Sequence, residues 1–133
     1  MTNIIAQVDC GNSPKKEFLK DFVIALAKAD REFVLGSITE DIQWKIVGQV
    51  IYTNKEQFIQ QVQQQPIWKV EELRVEAVVT HGTDASVSGR VLTATGARFA
   101  FCHVLKFKAF KGALIKKLQT FIMEEKEGMV SSA

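Results

Sequence analysis

The apolar rhythm of this chain changes once, at Pro66. Before it, hydrophobic residues recur at mostly helical spacing. From Ile67 onward the period drops to two. Helices gathered ahead of a run of strands cannot interleave with them as βαβ units, so the pattern predicts an α+β domain with its helices packed on one sheet face.

Ser13-Pro14 reads as an N-cap followed by proline at the first helical position, and Phe18, Leu19, Phe22, Val23, Leu26 and Ala27 continue at helical spacing. Asp30 is placed to cap a short second helix through Leu35, closed by Gly36. Residues 41–47, with Ile42, Trp44, Ile46 and Val47, form a predicted strand that ends in a turn at Gly48. Thr53-Asn54-Lys55-Glu56 offers a capping box for a third helix whose apolar face is Phe58, Ile59 and Val62; the Gln-rich run 60–65 extends it until Pro66 stops it.

Four strands are then expected at residues 67–80, 85–95, 97–110 and 113–124, joined at glycine-containing hairpins around Gly82, Gly96 and Gly112. That is an antiparallel meander. Residues 1–12 and 125–133 carry no such pattern and are expected to fray, which leaves one domain over 1–133 with an ordered core of about 13–124. Phe99 to Leu105 is apolar at both alternating sets of positions, so both sheet faces should be covered there. Helices cover one face, and a two-fold homodimer is the simplest cover for the other.

A formal net charge of +2 over 133 residues is too mild for a nucleic-acid binder or a protein held on an anionic membrane. Lys106-Phe107-Lys108-Ala109-Phe110-Lys111 interleaves basic and aromatic residues as single-strand binders do, yet the same alternation places Phe inward and Lys outward on a half-buried strand. No apolar run reaches the ~20 residues of a membrane helix, and residues 1–10 lack the basic flank of a secretory signal, so a cytoplasmic location is expected. Cys10, Cys102, His81 and His103 have no zinc spacing, and no phosphate-binding glycine motif or Gly-x-Ser-x-Gly is present. No metal and no cofactor is expected. Glu72, Arg74 and Glu76 alternate on one strand face as a solvated or dimer-facing charge ladder.

Ala29-Asp30 before a short helix, Glu40-Asp41-Ile42-Gln43-Trp44 with Gly48 four residues on, and the final hairpin Phe110-Lys111-Gly112-Ala113-Leu114-Ile115 together resemble the nuclear transport factor 2-like superfamily. Within it they resemble the SnoaL-like group of polyketide cyclases and ketosteroid isomerase relatives, over roughly residues 14–124. The resemblance implies a cystatin-like cone: a curved antiparallel sheet wrapped around the first helix, enclosing an apolar pocket, with dimers through the outer sheet face. It also implies cofactor-free isomerases, cyclases, dehydratases and hydrolases, alongside members that only bind. Two carboxylate positions of such enzymes are empty here. Phe121-Ile122-Met123 stands where many SnoaL-like chains carry Tyr-x-Asp, and Trp44, Lys45 and Ile46 stand where ketosteroid isomerases place their general base.

The expected pocket lining is Phe22, Trp44, Ile46, Tyr52, Phe101, His103, Leu105 and Phe121. His103 is the candidate catalytic residue, because an imidazole titrates near neutral pH and this one alternates with Phe99, Phe101, Leu105 and Phe107. It can act as a base, orient a ligand carbonyl, or be a core histidine satisfied by the backbone. Trp44 and Tyr52 are the candidate donors to a developing oxyanion. The expected ligand is a small hydrophobic or carbonyl-bearing molecule, handled by an isomerase- or cyclase-like enzyme. The alternative is a non-catalytic ligand binder or a dimeric partner-binding module of the same fold.

Overall fold

Ser13 starts the first helix by accepting a hydrogen bond from the Lys16 backbone N–H (3.3 Å), and Pro14 occupies a position where no N–H is needed. The computed structural model describes residues 1–109 and 111–126. Helix α1 (Pro14–Ala27) buries Leu19, Phe22, Val23 and Leu26 on one face. Asp30 caps α2 (Arg31–Gly36) by accepting from the Phe33 N–H (3.2 Å). Helix α3 (Lys55–Val62) is capped one residue later than its sequence suggests. Asn54 accepts from the Gln57 N–H (2.8 Å), and the Gln57 side chain accepts from the Thr53 N–H (3.1 Å). The helix ends at Val62, before most of the glutamine run.

The expected meander is present as β4 (Glu72–His81), β5 (Asp84–Leu92), β6 (Arg98–Phe107) and β7 (Ile115–Glu125). It is the centre of a larger, mixed sheet of seven strands in the order β1-β4-β5-β6-β7-β2-β3. Strand β1 (Asn3–Ala6) lies parallel to β4, in a segment expected to fray, and the Thr2 hydroxyl ties its start down by donating to the Val70 carbonyl (2.8 Å). Strand β2 (Ile38–Ile46) begins earlier than expected and pairs parallel to β7. A turn at Gly48, φ +83°, returns the chain as β3 (Val50–Tyr52). The sheet is therefore not purely antiparallel. The expected strand end and hairpin residue Phe110, and most of the expected fraying tail, lie outside the described residues.

The register of β4 against β5 shifts between Val75 and Ala77, a bulge of the kind that bends and twists a sheet. Gly89, opposite Val75, allows it: a Cβ there would overlap the Arg74 carbonyl. Buried apolar side chains from the concave face and the three helices form a single hydrophobic cluster. The convex face carries Val79, Val104, Phe121 and Met123 exposed, and beside them the expected charge ladder: Arg74 with Glu72, and Arg90 with Glu76 and Glu125.

Candidate functional site

Three strands each send one polar side chain into the apolar interior. Register places His103 of β6 directly opposite Thr120 of β7, and Trp44 of β2 opposite Leu118, one inward position from Thr120. The indole Nε1–H of Trp44 donates to Thr120 Oγ1 (2.9 Å), and that hydroxyl lies 2.8 Å from His103 Nδ1. His103 is 1% exposed, and its Nε2 has no hydrogen-bond partner. Burial lowers its pKa from 6.5 to about 4, since an apolar enclosure penalises the imidazolium, so the ring is neutral at pH 7.

Aromatic rings connect this polar chain to one end of the cone. Phe22 meets the His103 ring edge-on at 6.4 Å, and the Phe101 ring lies 5.3 Å from it. Phe22 stacks against Phe18 (6.3 Å), which in turn touches Phe33 of α2 (6.2 Å) and Phe107 of β6 (6.0 Å). Lys15 lies 5.0 Å over the Phe107 ring while its ammonium donates to the Gly82 carbonyl (3.1 Å). Lys15 also lines a cavity of ≈ 510 Å³ formed with Ser13, Pro14, Thr80, Gly82, Lys111, Gly112 and Ala113. That volume lies within the usual range for small-molecule sites, about 300–1,000 Å³.

Of the residues expected to line a pocket, Phe22, Phe101 and His103 meet directly, and Trp44 joins them through Thr120. Tyr52 is half-buried against the Trp44 ring at 5.5 Å. Ile46 and Leu105 belong to the same buried cluster. Phe121 is a correction. It is 42% exposed on the convex face, because Leu118, Thr120 and Ile122 take the inward positions of β7. Thr120 is the site residue that sequence reasoning missed; a threonine inside a strand is ordinary, and only the register reveals its partners. Phe107 points in while Lys106 points out to Asp84 (3.4 Å), as the alternating pattern implies.

Among the described residues no three His, Cys, Asp or Glu side chains gather where they could hold a metal ion, and no helix is long and apolar enough to cross a membrane. Cys10 and Cys102 are free thiols, and burial pushes both up from the ordinary thiol pKa.

No family profile and no curated protein sequence matches this chain. Solved structures do. An NTF-2 like protein of unknown function from Burkholderia xenovorans LB400 superposes with a TM-score of 0.71 at 11% identity, covering 88% of this chain and 93% of its own. A candidate ketosteroid isomerase from Kribbella flavida DSM 17836 gives 0.70 at 16% identity, with 90% and 89% covered. An LEH-like epoxide hydrolase from M. tuberculosis gives 0.65 at 14% identity, with 82% of each chain covered. The chain has the NTF2-like cone fold.

Proposed function

We propose that this NTF2-like cone binds a small hydrophobic molecule bearing a carbonyl or similar oxygen, without a cofactor. The ligand would enter from the cavity at the N-terminal end of α1. One observation carries this reading: a cavity of ligand size sits beside an unbroken line of aromatic contacts, Phe107 to Phe18 to Phe22, that ends on a buried imidazole. Apolar walls with few polar groups are what small-molecule sites are made of. The fold itself hosts both enzymes and binders and does not choose between them.

Binding is favoured over turnover. The buried imidazole is held neutral, one of its nitrogens already faces Thr120, and no carboxylate hydrogen-bonds to it among the described residues. An isomerase- or cyclase-like reaction is the second reading, supported by the structural likeness to a candidate ketosteroid isomerase and an epoxide hydrolase.

The convex face supports a homodimer. Cys102 pairs with Phe121, Ala100 with Met123, Val104 with Ser86, and Ser86 with Val79, so the exposed apolar residues are contiguous across β4 to β7. The two free thiols suit a reducing, cytoplasmic setting.

Fluorescence titration with 2-acetylnaphthalene tests the pocket. Saturable binding at one probe per chain is expected, and Ala113→Trp, which places an indole in the cavity mouth, should weaken it at least tenfold. Absence of saturable binding, or an Ala113→Trp variant that binds normally, would sink this reading.

A further inference from the structure

We propose that Thr120, held by Trp44, locks His103 in the tautomer protonated on Nε2 and so makes it a fixed hydrogen-bond donor to a ketone, aldehyde or ether oxygen of the ligand. This rests on the ligand-binding reading and supplies its polar anchor.

The assignment follows from counting unsatisfied polar groups. An indole N–H can only donate, so Thr120 Oγ1 accepts from Trp44. A threonine hydroxyl has one proton to give, and His103 Nδ1 is 2.8 Å away. If Nδ1 accepts that proton, only the Nε2–H of the three groups is left without a partner. If Nδ1 were itself protonated, Oγ1 would receive two hydrogen bonds, its own proton would have no acceptor among the hydrogen bonds of the described residues, and the Nε2 lone pair would be unpartnered as well, two unsatisfied groups against one. The first arrangement prevails, and the ring proton resides on Nε2.

That N–H is buried and unpartnered, on a ring that meets those of Phe22 and Phe101. Native interiors rarely leave a donor unsatisfied, because nothing repays its lost hydration. A neutral donor among apolar side chains selects a neutral acceptor. It offers a carboxylate no compensating charge and a cation nothing at all. In this state Nε2 has no lone pair, and the Nδ1 lone pair is covered by Thr120. His103 therefore polarises an oxygen and does not abstract a proton. Thr120 is a positioning residue acting through His103.

Long-range ¹H–¹⁵N correlation spectra of the free protein read the tautomer directly. Nε2 protonation is expected in the wild type and in Thr120→Ser, with loss of the single tautomer in Thr120→Val, which keeps the shape and removes the hydroxyl. Affinity is compared between 2-acetylnaphthalene and 2-isopropenylnaphthalene, which replaces the carbonyl oxygen by a methylene. The ketone should bind at least tenfold tighter in the wild type and in Thr120→Ser, and the ratio should fall toward one in Thr120→Val. A wild-type ring protonated on Nδ1 would overturn the lock. Equal affinity for the two probes would overturn the acceptor site. If neither probe binds, the pocket reading falls and takes the acceptor site with it, whereas the lock stands or falls on the spectrum of the free protein.

Discussion

Gly89 and Arg74 approach so closely across β4 and β5 that the Arg74 carbonyl occupies the space where any other residue at 89 would place its Cβ. The neighbour is backbone at a bulge and cannot rotate away. Gly89→Ala should therefore cost about 1–3 kcal/mol, as overpacked positions do. Urea unfolding measures it. A loss below ~0.5 kcal/mol would show that the bulge reseats without strain.

Phe22 is wholly buried, touches both Phe18 and His103, and lies at the centre of the ring contacts. Phe22→Ala should lose about 3–5 kcal/mol through the cavity it leaves. A change below ~1 kcal/mol by the same unfolding measurement would mean that the space around the ring is already open.

The fate of Thr120 and Phe121 shows how far the sequence could be read. The helix starts at Ser13 and Asp30, the meander, and the inward set Phe101, His103, Leu105 and Phe107 all follow from local chemistry and from a period of two, whereas the third helix is capped by Asn54 and not by Thr53. In Leu118-Gln119-Thr120-Phe121-Ile122 the apolar residues fall on both sides of the alternation, so residue type alone favours Phe121 as the core member. Pairing decides otherwise: Thr120 meets His103, and Phe121 meets Cys102 on the convex face. Strand β1 escaped for a similar reason. Asn3–Ala6 has no alternation of its own and is a strand only because β4, nearly seventy residues away, offers it an edge.

Stability should fall on mild acidification. The folded pKa of His103 is depressed to about 4 by burial, so between pH 6.5 and 4 the unfolded chain binds a proton that the folded chain refuses. The stabilisation is complete above about pH 6.5 and is lost as pH falls toward the folded value, on the order of 3 kcal/mol in all. Denaturant midpoints between pH 6.5 and 5, above most carboxylate titration, should fall in the wild type and stay flat in His103→Gln. Parallel profiles would assign the dependence to other groups.

The convex face makes a separate claim. Sedimentation at micromolar concentration should show dimers, and Phe121→Asp should raise the dissociation constant at least a hundredfold while leaving the fold intact by circular dichroism. A wild-type protein that sediments only as monomer would count decisively against pairing through this surface.

The hydrogen-bond chain of Trp44, Thr120 and His103 also bears on how the sheet finds its alignment. It takes one side chain from each of three adjacent strands, β2, β7 and β6. Slipping β7 by one residue against both neighbours would swing Thr120 outside and bring Gln119 or Phe121 in, stranding the indole N–H and the imidazole nitrogen together. A meander held only by Val, Leu and Ile would register such an error weakly, since one aliphatic contact substitutes for another. Here a misaligned strand forfeits two buried polar partners at once. The chain thus carries its own check on strand assembly, and the threonine that positions the histidine also marks the alignment in which the indole N–H and the imidazole Nδ1 both keep their partner.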